Sequence, residues 1–383
     1  MDFSWSTPLR RNGQTILPLI PNEIYLATFE CIAPTDQPLR EQYVGTFSAL
    51  ALVCRFFCSV ALPRVFERVT FSGDTNSNRT QASRKTKWAR QIVANSEPAK
   101  SVALYVKMCT FELWDLNEEA KWLLFPFATL YCQAMARMSN IQKVVFSTSF
   151  VKKDHWEALA ELKQLEVLEF RSCSFIEDPP DKELTVRTVM LFRTRNSPTT
   201  FTLRPIATTS IRSLSADDVE AVLKIVAFRQ LTIDKLVLIQ QNFDMGLLLH
   251  VFRRLPDLQS VTLALKERAV ASSLPVIGKL PLKKHFTRLR SFTVKDTGYL
   301  VPRDETEMLI SALCDGPGTL PSLEELNFHF ITVDGWTTTL DIISDRLNGT
   351  IIPAFPNVRY INTDAGSIRL EEGDWKVHYS NRY

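Results

Sequence analysis

The cysteines are the first residues whose type and spacing could carry chemistry. Seven occur along the chain, and Cys54 and Cys58 lie four positions apart, so that a helix would place both thiols on one face, where they could bind a metal. No histidine or further cysteine lies near this pair in sequence. Because free cysteine is among the residue types most often buried, we interpret the pair as core packing and expect no metal site.

The odd number and scattered positions of the cysteines bear on the compartment. Such a pattern favours reduced thiols over a disulfide framework. The most apolar stretch, 122–132, is also far shorter than the roughly 20 residues of a membrane span, and Pro126 interrupts it. We therefore expect a cytoplasmic or nuclear protein without a membrane partner.

Motifs typical of catalysis or cofactor binding do not occur in the sequence. The five histidines form no zinc-protease pattern, and His155 falls in the first turn of a predicted helix, where we expect it to be solvated. Nucleophile-elbow, P-loop and dinucleotide-binding patterns are missing as well. The sequence therefore predicts no catalytic residues and no cofactors, and hence no enzyme. An enzyme with unrecognised active-site chemistry stays an alternative.

One basic run could bind nucleic acid. Five cations surround Trp88 in it, namely Arg79, Arg84, Lys85, Lys87 and Arg90. Trp88, Ile92 and Val93 follow helical spacing, however, which makes the cations the wet face of a helix. The net charge of the whole chain is only +3, so we expect no nucleic-acid partner.

Most of the chain repeats an apolar-x-x-apolar-x-apolar pattern, which must position any binding residues. Copies begin at Ala99, Ile141, Leu165, Val186, Ile211, Ile233, Leu258, Leu289, Leu323 and Val358, at intervals of 21 to 42 residues. The copy at Ile211 is degenerate and the last is weak. The last two apolar residues of a copy are two apart, so both point to the same face of a strand.

Between the copies the sequence predicts helices. Asp154, Asp217 and Asp304 each stand three residues before a glutamate, as in a capping box, while Asp244 and Asp334 are simpler N-cap candidates. Strands joined by helices must run parallel, and right-handed crossovers would stack them into a solenoid.

The repeat resembles the leucine-rich repeat, L-x-x-L-x-L-x-x-N/C, over residues 98–370. At the N/C position only Cys173 matches. The resemblance implies an irregular solenoid with a parallel curved sheet. The alternative is a generic α/β domain with leucine-rich strands.

Strand residues that alternate with the core set would face the concave surface, where charged and aromatic side chains suit protein recognition. The predicted substrate-binding residues lie on the C-terminal strands: Lys295, Asn327, His329, Tyr360, Asn362 and Asp364. Taken singly, these positions could simply face solvent.

Near the N-terminus, the sequence predicts two helices. The first starts at Ile20-Pro21-Asn22-Glu23-Ile24, and the second covers Phe47 to Leu62, which is apolar nearly all round. A block of about 50 residues cannot bury both faces of such a helix. Some of this surface should therefore meet a partner.

This block resembles the F-box. The family begins with a Leu-Pro-x-Glu-like helix start, here Ile20-Pro21-x-Glu23, and continues to a Val-Cys-Arg/Lys-x-Trp motif, here Val53 to Phe57 with Phe57 in the usual tryptophan position. The segment from Ala61 to Phe71 is similar to the exit common in fungal F-box proteins, which leads into a repeat domain.

The F-box resemblance implies a substrate receptor. Such proteins dock a Skp-type adaptor on a cullin–RING ubiquitin ligase of the SCF type, and the downstream domain holds an unknown protein substrate. The implied adaptor-facing residues are Pro21, Ile24, Leu52, Val53, Cys54 and Phe57. The alternative is an interaction scaffold whose N-terminal helices only cap the first repeat, with no ubiquitin role.

The expected fold class is α/β: a small N-terminal helical F-box-like block followed by an irregular leucine-rich-repeat solenoid. The expected boundaries are a tail at 1–15, the block at 16–71, a linker and capping helix at 72–97, the solenoid at 98–370, and a C-terminal tail at 371–383.

Overall fold

The architecture is that of a computed structural model. The model describes residues 11–12, 15–16, 20–32, 40–73, 79–114, 118–175, 184–193, 211–226, 231–240, 243–265, 286–301, 303–315, 318–332 and 338–379. Across these residues the chain is α/β, with helices and a mostly parallel sheet of 14 strands that does not close into a barrel. It divides into unit 1, residues 1–150 and 154–165, and unit 2, residues 151–153 and 166–383.

Helices and strands alternate along much of the chain. The helices are α1 Asn22–Cys31, α2 Arg40–Ala51, α3 Arg55–Phe66, α4 Arg79–Val93, α5 Ala99–Ala103, α6 Glu118–Ala136, α7 Lys153–Ala160, α8 Val219–Val226, α9 Met245–Arg254, α10 Arg303–Cys314, α11 Thr338–Arg346 and α12 Ile352–Ala354, with a π-helical turn at Leu347–Ile351. The strands are β1 Arg11–Asn12, β2 Thr15–Ile16, β3 Arg68–Ser72, β4 Met108–Trp114, β5 Lys143–Val151, β6 Val167–Arg171, β7 Ser174–Phe175, β8 Thr188–Phe192, β9 Ser213–Ala216, β10 Lys235–Gln240, β11 Ser260–Leu265, β12 Ser291–Val301, β13 Glu325–Thr332, β14 Tyr360–Thr363, β15 Gly366–Glu371 and β16 Asp374–Tyr379.

Unit 1 begins with a helical block, α1 to α3, that has a small core of its own. Phe29, Phe47 and Ala61 are its buried residues, one from each helix. The sequence predicts one continuous helix from Phe47 to Leu62, and this prediction is wrong, because α2 ends at Ala51 and α3 starts at Arg55. The break turns one long apolar helix into two shorter ones that can pack against each other and against α1.

The strands of unit 1 start earlier than the repeat pattern predicts. The strand β3 follows α3 after a single residue and pairs parallel with β4, which pairs parallel with β5. The copy beginning at Ala99 forms the helix α5 and a following turn instead of a strand. Its apolar spacing of three suits a helix as well as a strand, and β4 instead buries Cys109 and Phe111. The predicted helix after residue 72 is confirmed as α4.

In unit 2 the repeat copies lie side by side in register. Strands β6, β8, β9, β10, β11, β12, β13 and β14 pair parallel in that order. Leu236, Val261, Phe292, Leu326 and Ile361 occupy equivalent positions on five neighbouring strands and are at most 2% exposed. The alternation predicted for the repeat therefore places one continuous apolar row in the core.

Each strand of this series is also anchored just before it begins. The carbonyl of Asp234 accepts hydrogen bonds from the amides of Gln259 and Ser260, both at 2.9 Å, and the carbonyl of Gln259 does the same for the next strand. The pattern recurs along unit 2 and satisfies backbone amides at the starts of its strands.

The helix caps are partly those predicted. Asp244 caps α9 by accepting from the Leu247 amide at 3.0 Å. At α8 the acceptor is Asp218, not Asp217, and Asp154 and Asp304 lie inside the first turns of α7 and α10. Asp334 lies outside the described residues.

Both predicted tails contain strands. The segment expected as a C-terminal tail, 371–383, includes β16, which pairs antiparallel with β15 after a turn at Glu372 and Gly373. Alternating residues from Trp375 to Tyr379 suit a strand once a neighbouring strand offers backbone partners. Near the N-terminus, β1 and β2 form a short hairpin. None of the helices in the described part of the chain is both long enough and apolar enough to span a membrane.

Candidate protein-interaction surfaces

The turn between α2 and α3 presents two apolar side chains to solvent. The amides of Leu52 and Val53 bond the carbonyls of Ala49 and Leu50, each at 3.1 Å, which closes the end of α2. Cys54 then takes an extended conformation, and its Sγ accepts a hydrogen bond from the Phe57 amide at 3.4 Å to start α3. This geometry leaves Leu52 88% and Val53 63% exposed.

The start of α1 lies at the same end of the helical block. Tyr25, in the first turn of α1, packs edge-on against Phe57, in the first turn of α3, with ring centroids 5.2 Å apart. Ile24 precedes Tyr25 and is 55% exposed. Ile24, Leu52 and Val53, three large apolar side chains exposed at this end of the block, are hereafter called the apolar patch.

The six predicted adaptor-facing residues take different positions. Pro21 is exposed and leads into α1, and its carbonyl accepts from the Ile24 amide at 3.1 Å. Cys54 is half-buried in its capping role. Phe57 is half-buried and packs on the block core, with its ring 5.2 Å from that of Phe29. Phe57 therefore supports the patch from behind more than it forms the surface.

A cavity of about 360 Å³ opens elsewhere in the block, beside the ends of α1 and α3. Arg64 at its wall donates to the Phe29 carbonyl at 2.5 Å, and its guanidinium lies 5.3 Å from the centre of the Phe47 ring. Glu67 and Lys107, also at the wall, form an ion pair at 3.3 Å. Arg64 thus holds parts of the block together, while the Glu67–Lys107 pair joins the end of the block to the start of β4.

In unit 2, the predicted substrate-binding residues lie on the outer face of the sheet, opposite the core. Asn327 on β13 is 7% exposed; its amide donates to Thr293 Oγ1 at 3.0 Å, and its Oδ1 accepts from Asn362 Nδ2 at 2.7 Å. Asn362 Nδ2 also donates to Glu325 Oε1 at 3.1 Å. These contacts form a side-chain network across β12, β13 and β14, hereafter called the polar network.

His329 and Asp364 form a second contact beside this network. His329 Nδ1 lies 3.1 Å from Asp364 Oδ1, and both side chains are about one-third exposed. Lys295 is the β12 neighbour of His329 in the parallel register and is half-buried. Tyr360 lies 48% exposed at the start of β14. The structure thus brings five of the six predicted residues onto three adjacent strands, and the sixth, Asp364, directly follows the last of these strands.

Sequence reasoning missed two members of the polar network. Glu325 lies two residues before Asn327 on β13 and faces the same side of the sheet, and Thr293 stands in the same relation to Lys295 on β12. This two-residue spacing was the signal that could have found them. Both are half-buried, which positions them to hold the asparagines.

Three side chains of types used in catalysis are buried in unit 1, namely Cys109, Cys132 and His155. Burial raises the pKa of Cys109, and burial together with the nearby Asp154 raises that of Cys132, so both thiols stay protonated. His155, expected to be solvated, is instead 2% exposed and packs edge-on between Phe111 and Phe146, with centroids 5.3 Å apart in both cases. The helix α7 turns this side chain toward the unit 1 core. Within the described residues, no three histidine, cysteine or acidic side chains are grouped to hold a metal.

Comparison with models of known protein families and with curated proteins finds no significant match for this chain.

Proposed function

We propose that this chain is a non-catalytic substrate-recognition subunit of an SCF-type cullin–RING ubiquitin ligase. In this proposal the block α1–α3 is F-box-like and docks a Skp-type adaptor through the apolar patch. The strands of unit 2 form an irregular leucine-rich-repeat solenoid, and its outer face at β12–β14 binds a protein substrate. The exposure of Leu52 and Val53 on a block that has its own core is the observation that carries the proposal.

The geometry of the block supports a docking role. A mere cap would turn its apolar side chains inward, whereas Ile24, Leu52 and Val53 are all more than half exposed. Covering them with a partner would remove apolar surface from water at about 25 cal/mol per Å². The F-box-like motif at Val53 to Phe57 falls at this same turn.

The repeated register supports the solenoid assignment. Parallel strands of unit 2 follow one another in chain order from β8 to β14, with equivalent core positions and equivalent shared carbonyls. Repetition of one unit with nearest-neighbour contacts is typical of solenoid proteins.

The receptor would act by proximity. Holding a substrate near a charged ubiquitin carrier raises the effective concentration of its lysines without contributing a catalytic group from this chain.

The test is adaptor binding by purified protein. Val53→Asp should weaken binding of a Skp-type adaptor at least about 30-fold, because a charge would be buried in the interface. Leu104→Asp is the matched control, since Leu104 is 47% exposed in unit 1 but lies outside the patch. Isothermal titration calorimetry gives the affinities, and equal melting temperatures show that the variants fold.

Equal adaptor affinity of the wild type and Val53→Asp, or no binding by either, would contradict the proposal. The latter result would favour the alternative, a scaffold whose helices only cap the first strand. One observation favours that alternative: β3 follows α3 after a single residue, so the block continues directly into the sheet.

A further inference from the structure

The last strand of unit 2 offers an open edge. In the part of the chain that the structure describes, β16 pairs only with β15, so the backbone groups along its other side meet no strand. An edge of this kind can bind an extended segment as an additional strand.

One face of the β15–β16 hairpin is apolar, and several of its side chains are exposed to solvent. Val377 lies opposite Ile368, which is fully buried, yet Val377 itself is 40% exposed. Leu370, opposite Trp375, is 39% exposed, and Tyr379 is 63% exposed. The core face of the sheet thus continues onto β16 and leaves apolar side chains at its rim.

The other face places two cations, Arg369 and Lys376, in the middle of the hairpin and two anions, Glu371 and Asp374, beside its turn. Arg369 and Lys376 lie directly opposite each other, which is an unfavourable pairing of like charges. The Glu371 carboxylate is shared between Lys376 Nζ at 3.5 Å and His378 Nε2 at 2.9 Å. A further anion beside Lys376 would relieve the repulsion.

We propose that β16 binds an extended protein segment in which an acidic residue stands between two apolar residues. The acidic side chain would lie next to Lys376, and its two neighbours would point to the opposite face and cover Trp375 and Val377. A lysine on an edge strand disfavours pairing with apolar or basic segments, so it makes the acidic residue the condition for binding.

A second copy of the chain fits this edge less well. Symmetric pairing centred on Lys376 would place two lysines opposite each other, and pairing centred on Val377 would place Lys376 opposite His378. Pairing centred on Trp375 would bring Asp374 to Lys376 but would overlap only three residues before the turn. None of these arrangements combines a long overlap with an anion at Lys376.

The probe is a labelled, acetylated peptide of sequence Thr-Val-Glu-Val-Thr, measured by fluorescence anisotropy with the full chain. We expect saturable binding with a Kd of about 0.1 mM, as for a short strand without a deep pocket. Two further peptides carry lysine for glutamate, or methyl groups on alternate backbone amides. Both should bind at least about fivefold more weakly.

Lys376→Glu should weaken the glutamate peptide and strengthen the lysine peptide, each about fivefold, because the charges are exchanged. Lys235→Glu is the matched control, an exposed lysine on the same face of β10, far along the sheet, and should change neither. The proposal would be overturned if the glutamate peptide did not bind, or if its binding were insensitive to backbone methylation or to Lys376→Glu. Self-association of the chain that Val377→Lys abolishes would also overturn it, because a second copy would then occupy the edge of β16. Lys376→Glu should leave adaptor binding intact, so the two proposals fail separately.

Discussion

At the scale of single residues, burial separates the thiols of unit 1 into reactive and protected groups. Cys109 is fully buried and Cys132 is 2% exposed, and burial raises the pKa of both. Cys31 is exposed at the end of α1. The thiolate is the reactive form, so reactivity should follow exposure.

We therefore expect iodoacetamide at pH 8 to alkylate Cys31 first in the native protein, and Cys109 and Cys132 only after unfolding. Peptide mapping by mass spectrometry over a time course checks this order. Alkylation of Cys132 as fast as Cys31 without denaturant would contradict the packing described for unit 1.

The cap of α3 is a second residue-scale feature. A thiol is a weak acceptor compared with a hydroxyl. Cys54→Ser should therefore raise the free energy of unfolding by a few tenths of a kcal/mol, and Cys54→Ala should lower it by about 0.5–1 kcal/mol. Urea denaturation followed by circular dichroism measures both. An alanine variant as stable as the serine variant would show that the cap contributes nothing.

At the scale of elements, an ion-pair cluster joins α10 to α11. Glu307 accepts from Arg303 Nε at 3.0 Å and from Arg346 at 3.0 Å, and these two arginines lower the pKa of the Glu307 carboxyl. A lowered native pKa stabilises the fold above the pKa of the unfolded chain, and this contribution is lost as the pH falls through the native pKa.

Glu307→Gln should consequently lower the melting temperature at pH 7, and the difference from wild type should vanish as the pH falls below the usual range of carboxyl titration. Thermal unfolding between pH 7 and pH 3 measures the difference. Glu324→Gln, a change at an exposed glutamate, is the control and should leave the profile unchanged. A Glu307→Gln difference that does not shrink between pH 7 and pH 3 would point to a cause other than charge.

At the scale of the whole molecule, the proposed adaptor and substrate surfaces belong to different units. Changes on separate surfaces with no shared contacts are expected to act independently. Val53→Asp should abolish adaptor capture yet keep the captured substrates, which should accumulate because they are no longer ubiquitinated. Tyr360→Ala should keep the adaptor and lose substrates. Quantitative proteomics of affinity-purified variants tests this, and loss of both partners from either change alone would contradict a two-surface receptor.

The fold determines where the residues of the F-box-like motif lie. Val53 is exposed to solvent, whereas Phe57, four positions later in the same motif, is packed against Tyr25 and Phe29. No property of the isolated motif distinguishes these two roles.

The sequence by itself determined the α/β class and the parallel strands β6 and β8 to β14 of unit 2, because the alternation of core and outer residues along a strand can be recognised in its own sequence, as at Leu236 and Leu238. It also determined the cap at Asp244, which is a local contact. Tertiary structure alone decided the break at Leu52, the burial of His155 and the strand β16. Each of these depends on neighbours distant in the chain, which supply a packing surface or backbone hydrogen bonds that a local pattern cannot reveal.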